Sequence, residues 1–284
     1  MKKTMIMMAA AIALTACQND LEAPEASETA KTITFRVHGD FTLTTSSMTR
    51  ALSTDGRDMT DVWVLDYVGD ELKQQIHQTT EDEGFGAPTL SLELGSHTLY
   101  FVASRCAEPT LNTSSHILSF GKVYDTFWKS LYLDITSGGT ESRNIMLDRI
   151  VTKLRLTFTD AVPNNTASIN LTPGTWYYGF DYKTSAPAAA KNNEMVTIAV
   201  PSSTYGQENQ SANLYGFSAA TEWTTSLAVK SLDTDGNTIG SVSFSSVPLL
   251  RNRQTIYTGK FWNSVEGMAM SLNADWLDAY EGTW

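Results

Sequence analysis

Residues 32–44 read Thr-Ile-Thr-Phe-Arg-Val-His-Gly-Asp-Phe-Thr-Leu-Thr. Ile33, Phe35 and Val37 fall on one face, and Phe41 and Leu43 resume the row after a bend at Gly39. Successive side chains of a strand point to opposite faces, so this period of two predicts a half-buried β-strand. The same period recurs outward along the chain. Residues 62–67 (VWVLDY) read as a partly buried strand, and a turn at Gly69-Asp70 leads into another that runs to Gln78. Residues 90–94 and 98–103, joined at Gly95-Ser96, read as a hairpin, and strands follow at 131–135, 142–147 and 151–158. Beyond the Pro- and Asn-punctuated segment 160–165, strands are expected at 168–171, 174–182, 194–200, 212–217, 226–232, 239–244, 254–261 and 268–273. Asp233 to Asn237 is a hairpin turn in this reading. Only residues 122–132 hint at a helical turn or two. The class is all-β, with the strand spacing of a β-sandwich. Two sandwiches are expected, over 32–149 and 150–284, each of ordinary domain size.

Ahead of this body stand Lys2 and Lys3, an uncharged apolar run from Met5 to Leu14, and Leu14-Thr15-Ala16-Cys17. An apolar run of about ten residues is too short for the roughly 20 that cross a bilayer as a helix, and reads as the core of a signal peptide over residues 1–16. The pattern resembles the lipobox of bacterial lipoproteins, which makes Cys17 the acylated first residue of the mature chain. Residues 17–31, acidic and without apolar periodicity, read as a tether between the lipid anchor and the folded body.

The chain carries 31 acidic against 20 basic residues, a net charge of −11, which disfavours nucleic acid as a partner. With Cys17 lipidated, Cys106 is the one remaining thiol, so no disulfide is expected within the body, and Cys106 reads as a small buried residue. Catalytic signals are weak. G-x-S-x-G is absent, and Ser119-Phe120-Gly121-Lys122 is an S-x-x-K without companion motifs. His38, His77, His97 and His116 have no metal-ligand spacing, and Asp233, Asp235 and Asn237 suit a turn better than a calcium loop. No enzyme, metal or cofactor is expected.

Taken in order, several segments resemble the fimbrillins of Bacteroidales-type type V pili. They are the lipobox cysteine and tether, the strand Ile33 to Val37, Thr49-Arg50-Ala51-Leu52, Met59 to Tyr67, Leu147 to Leu154, and Leu250 to Gly259. The resemblance implies two transthyretin-like sandwiches and a structural role at the outer membrane surface as stalk, tip or anchor of a fimbria. Assembly would then proceed by strand exchange. An arginine-specific protease cuts the loop after the first strand, that strand leaves, and a strand from another fimbrial subunit fills the groove. Adhesion to a host or glycan receptor is implied for some members.

On this resemblance residues 32–45 are the candidate exchangeable strand, with Ile33, Phe35, Val37, Phe41 and Leu43 its apolar row. Arg50, in a Ser/Thr-rich loop, is the candidate cut, and Arg57, among Asp55, Asp58 and Asp61, a lesser one. An edge-paired first strand would favour assembly. The tail from Met268 to Trp284 is read as a last core strand followed by packed aromatic residues, the alternative being that it is itself exchangeable. The rival function is a lipid-anchored surface module that binds glycans on exposed rings of Trp176 to Tyr182 and Tyr124 to Trp128. Alternation would instead bury Trp176, Tyr178, Phe180 and Tyr182 together.

Overall fold

The computed structural model describes residues 29–40, 42–43, 58–105 and 108–262, with the side chains of residues 42, 43 and 58 excepted. Cys17, Phe41, Arg50, Arg57, Cys106 and the expected strand at 268–273 lie outside the described residues. Apart from one 3-10 turn at Ser202–Thr204, every described element is a strand.

The first half contributes β1 (Ala30–His38), β2 (Thr42–Leu43), β3 (Asp58–Met59), β4 (Asp61–Val68), β5 (Glu71–Thr79), β6 (Thr89–Glu93), β7 (Gly95–Ser104), β8 (Thr110–Asn112), β9 (Ile117–Ser119), β10 (Thr126–Ile135), β11 (Gly139–Met146) and β12 (Asp148–Arg149). The second contributes β13 (Val151–Phe158), β14 (Thr166–Pro173), β15 (Thr175–Asp181), β16 (Pro187–Asn192), β17 (Val196–Ala199), β18 (Gln210–Phe217), β19 (Trp223–Asp233), β20 (Thr238–Leu249) and β21 (Gln254–Gly259).

The two halves have the same topology. In the first, sheet β11-β1-β6 faces sheet β12-β10-β7-β4-β5; in the second, sheet β21-β13-β18 faces sheet β20-β19-β14-β17. Each opening strand is the middle of its small sheet, parallel to the closing strand on one side and antiparallel on the other. Setting aside the short β2, β3 and β12, the remaining strands β4, β5, β7 and β10 correspond in chain order and pairing to β14, β17, β19 and β20. This is the strand order of a transthyretin-like sandwich, present twice. Each half also carries an inserted hairpin, β8-β9 and β15-β16. The two inserts pair with each other through β9 and β15, making a four-stranded sheet that spans the halves.

Burial follows from that arrangement. Ile33, Phe35 and Val37 of β1, Leu90 and Leu92 of β6, and Leu99 and Phe101 of β7 fill the space between the two sheets of the first sandwich. The opposite faces of β4 and β7 carry Trp63, Leu65, Tyr67, Tyr100 and Val102 into a second cluster shared with Trp176, Phe180 and Phe217. β4 is therefore covered on both faces, which is why 62–67 reads as a nearly continuous apolar run.

Three sequence expectations are corrected. Residues 90–94 and 98–103 are not a hairpin: β6 pairs with β1, whereas β7 pairs with β4 and β10. The connection is an arch between sheets, turned at Gly95 with φ of 130°. Alternation places both strands' apolar residues in one core but does not name the partner. His97 braces the arch, its Nε2 donating to the Glu93 carbonyl at 3.0 Å and its Nδ1 lying 2.8 Å from Asp66 Oδ1. Burial pushes the Asp66 carboxyl up against the pull of that contact. The helical hint at 122–132 gives way to β10, because Phe127, Leu133 and Ile135 alternate into the core opposite β7. Finally, the first strand starts at Ala30, inside the expected tether, and ends at His38. Leu43 stands on β2, opposite Met59 of β3, and is not part of β1.

The joining sheet has a tight point at Gly179, which pairs with Ser119. A Cβ there would meet the Leu118 carbonyl oxygen at 2.7 Å and Ser119 Cβ at 2.8 Å. Gly179→Ala is expected to cost about 1–3 kcal/mol as an overpacking change. Hydrogen exchange should accelerate at residues 117–119 before β1 or β13 is affected; uniform protection would contradict that local weakness.

Candidate functional site: the groove of the first strand

β1 is held along its whole length from both sides. On one side it runs parallel to β11, from Lys31 opposite Gly139 to His38 opposite Met146. On the other it is antiparallel to β6, and the ladder continues past β6 through Phe35 N–H to the Pro88 carbonyl at 2.9 Å and Val37 N–H to the Gly86 carbonyl at 3.0 Å. The expectation of an edge-paired strand is thus corrected to an interior one. Loss of an interior strand exposes two unpaired edges with a row of apolar sites between them, which is a better receptor for another strand than a single edge.

Ile33 and Phe35 are wholly buried and Val37 nearly so; the Phe35 ring lies 5.0 Å from Phe101 at 62°. Burying each such side chain contributes roughly 1.5–3 kcal/mol, so the three together approach the 5–15 kcal/mol net stability of a typical domain. β1 is therefore not a strand that frays; its place has to be refilled if it leaves.

At its start, Lys31 Nζ pairs with Glu141 Oε2 of β11 at 2.8 Å, and Arg143 holds the same carboxylate. Hydrogen bonds from Arg143 and then Lys31 keep the Glu141 carboxyl down at about 2, against an ordinary 4.5. A depressed carboxylate stabilises the fold above its ordinary value, and that contribution is lost as pH falls toward about 2. The protection of β1 amides, taken relative to the intrinsic exchange rate at each pH, is expected to fall over this acid window, and Glu141→Gln should flatten the dependence. Because Glu141 is solvated, the effect is small.

At its end, β1 meets a nearly buried cation. Arg149 grips Asp125 with two bonds, Nε to Oδ1 at 2.8 Å and Nη2 to Oδ2 at 3.0 Å. Nη2 also donates to Asp40 Oδ2 at 2.8 Å, two residues past β1, and Nη1 to Asn252 Oδ1 at 3.3 Å in the second sandwich. The guanidinium lies over the Phe127 ring at 4.6 Å. Arg149 and Asn252 belong to the two segments, 147–154 and 250–259, whose order carried the family resemblance. Spacing alone gave no sign that they meet each other and Asp40.

The rings proposed for glycan binding face inward. Trp176, Phe180 and Tyr182 are fully buried and Tyr178 nearly so. Tyr182 and Tyr67 share a hydroxyl hydrogen bond of 2.7 Å, and burial with that bond pushes the Tyr182 hydroxyl far up. Trp128 Nε1 donates to the Tyr182 carbonyl at 2.7 Å, and Tyr177 packs edge-on against Trp223. Tyr124 is half-buried beneath Lys122, 4.9 Å from its ring. No exposed aromatic platform arises from either stretch. Asp233 Oδ1 accepts from the backbone N–H groups of Asp235 and Asn237 at 3.0 and 2.7 Å, which closes the β19–β20 turn. His77 stacks on Trp63 and bonds to Asp61 at 2.6 Å. Among the described residues no three metal-ligating side chains converge.

The sequence matches no family model and no curated protein. Solved structures with a related chain path include the tip fimbrial protein Mfa3 of Porphyromonas gingivalis with C-terminal truncation, at 12% identity and a TM-score of 0.48, covering 87% of this chain and 100% of that one. The fimbrial anchor protein Mfa2 of the same organism gives 10% identity and a TM-score of 0.43, covering 85% and 95%. A Bacteroides thetaiotaomicron chain named for polysaccharide binding gives 9% and 0.46, covering 81% and 92%. At such identities the likeness concerns the path of the chain and assigns no activity.

Proposed function

We propose that this chain is a non-enzymatic structural subunit of a cell-surface fimbria that assembles by strand exchange and contributes to adhesion. Removal of residues 1–16 would leave lipidated Cys17 as the first residue, and that lipid would anchor the chain at the outer membrane until the loop is cut and the first strand departs. Its partners are other fimbrial subunits and an arginine-specific protease acting at Arg50. The two units of the body are the sandwiches that open with β1 and β13, divided at residues 149 and 150. The observation that carries this reading is the position of β1, an interior strand with hydrogen bonds on both sides and an inward apolar row. The segment after it contains Arg50. The burial of the aromatic stretches removes the feature on which the glycan-binding alternative rested.

The test is to treat the body, residues 18–284, with an arginine-specific protease under native conditions and to follow intact mass, N-terminal sequence and oligomer ladders. A single cut after Arg50, departure of the preceding residues and growth of ladders are expected. Resistance at Arg50, or a cut monomer that keeps residues 30–38 indefinitely, would overturn strand exchange at this site.

A further inference from the structure

Among the described residues, five large apolar side chains stand exposed: Val68, Leu94, Tyr132, Met146 and Met195. The first three gather at one end of the first sandwich, the end where β1 begins. Leu94 is 51% exposed in the arch between β6 and β7, and its N–H donates to the carbonyl of Thr29, the residue before β1, at 3.3 Å. Tyr132 of β10 is 66% exposed and donates its hydroxyl to Ser96 Oγ of the same arch at 2.8 Å. Val68 ends β4 one residue past Tyr67, which pairs with Thr98 just beyond the arch. Single exposed apolar residues are ordinary, whereas three around one arch form a patch.

The sequence ahead of β1 indicates what this patch faces. Cys17 stands twelve residues before Thr29, a stretch that reaches at most about 40 Å. A lipid on Cys17 therefore keeps Thr29, and Leu94 bonded to it, near the bilayer. His38, at the other end of β1, is about 25 Å away along the strand. The patch has the chemistry for that neighbour. Leucine and valine gain by leaving water, and a tyrosine with an exposed ring and a bonded hydroxyl suits the headgroup layer. Its rim is acidic: Glu93 and Asp134 are exposed beside the arch, and Asp70 and Glu71 follow Val68. The lysines at hand, Lys31 and Lys73, are paired with Glu141 and Glu71. Such a rim is repelled by anionic headgroups and tolerates zwitterionic ones.

We propose that this end of the first sandwich is a lipid-contact surface, where Leu94, Tyr132 and Val68 seat in the headgroup layer of a zwitterionic bilayer beside the anchor. This rests on the reading of Cys17 as lipidated. A lipid tether alone leaves the body free to turn about its attachment. The second contact stands β1 upright on the membrane and directs His38, from which the chain leads on toward Arg50, away from the surface and toward a soluble protease.

The experiment places the mature chain, from lipidated Cys17 to Trp284, on phosphatidylcholine vesicles and labels it with hydroxyl radicals, with the Cys17→Ser chain in solution as reference. Labelling of Tyr132 and Leu94, read by mass spectrometry, is expected to fall several-fold on the vesicles. Met146, opposite His38, and Met195, in the second sandwich, should keep their solution labelling. Leu94→Asp, at an exposed position that does not endanger the fold, should return Tyr132 to its solution value, and vesicles rich in phosphatidylglycerol should do so in part. Equal labelling at all four residues, protection of Met146 or Met195 in place of Tyr132, or protection of Tyr132 that survives Leu94→Asp would overturn the contact, while lipid mass on the N-terminal peptide leaves the anchor standing. Absence of that mass would overturn the anchor reading and this inference with it.

Discussion

Phe35→Ala is expected to lower the unfolding free energy by about 3–5 kcal/mol, the usual range for emptying a buried aromatic site. The ring has no exposure and packs edge-on against Phe101 of β7, on the opposite sheet. Its neighbours are strands pinned by ladders on both sides, so the cavity has little means of collapsing. Thr34→Ala supplies the control. Thr34 is half-buried on the other face and loses one hydroxyl contact, to Thr89 at 2.8 Å. A change of that kind costs about 0.5–1.5 kcal/mol. Denaturant unfolding read by tryptophan fluorescence checks both. If Phe35→Ala cost no more than Thr34→Ala, β1 would not be a core strand in solution, and the groove described for it would lose its physical basis.

Arg149→Met should be of similar size, about 3–5 kcal/mol, because it leaves the Asp125 carboxylate buried without its cation. Burial already pushes the Asp125 carboxyl up, with Arg149 opposing the rise. Removal of the guanidinium lets it climb further. A carboxyl raised in the folded state keeps its stabilising contribution at low pH and loses it as pH rises through the folded value. The deficit of Arg149→Met is therefore expected to shrink in mildly acid buffer and to grow toward neutral pH. Arg149→Met with Asp125→Asn should recover part of the loss and be nearly independent of pH. A deficit unchanged by pH, or unrelieved by the second substitution, would mean that Arg149 acts through packing on Phe127 alone.

Strand positions were largely legible, because burial on one face writes a period of two into residues such as 151–158 and 71–79. Pairing was not. The arch at Gly95 and the hairpin at Asp233 present the same alternation on either side of a turn, yet one joins two sheets and the other two neighbours in one sheet. The strands β8, β9 and β16 escaped notice because they are short, and Ala188, Ala189 and Ala190 of β16 carry no apolar alternation. The repeated topology is invisible for a related reason: equivalent strands share a pattern of faces but not residue identities. For the site, Ile33, Phe35 and Val37 were readable from their spacing. The junction of Asp40, Asp125, Arg149 and Asn252 was not, since hydrogen bonds between residues a hundred positions apart leave no local signature.

The parallel pairing of opening and closing strands also sets the order of events when the chain is made. β1 waits for β11, and β13 for β21, each about a hundred residues later in the sequence. Closure of each sandwich therefore brings together strands far apart in the sequence, a long-range step that is slow compared with formation of the local hairpins.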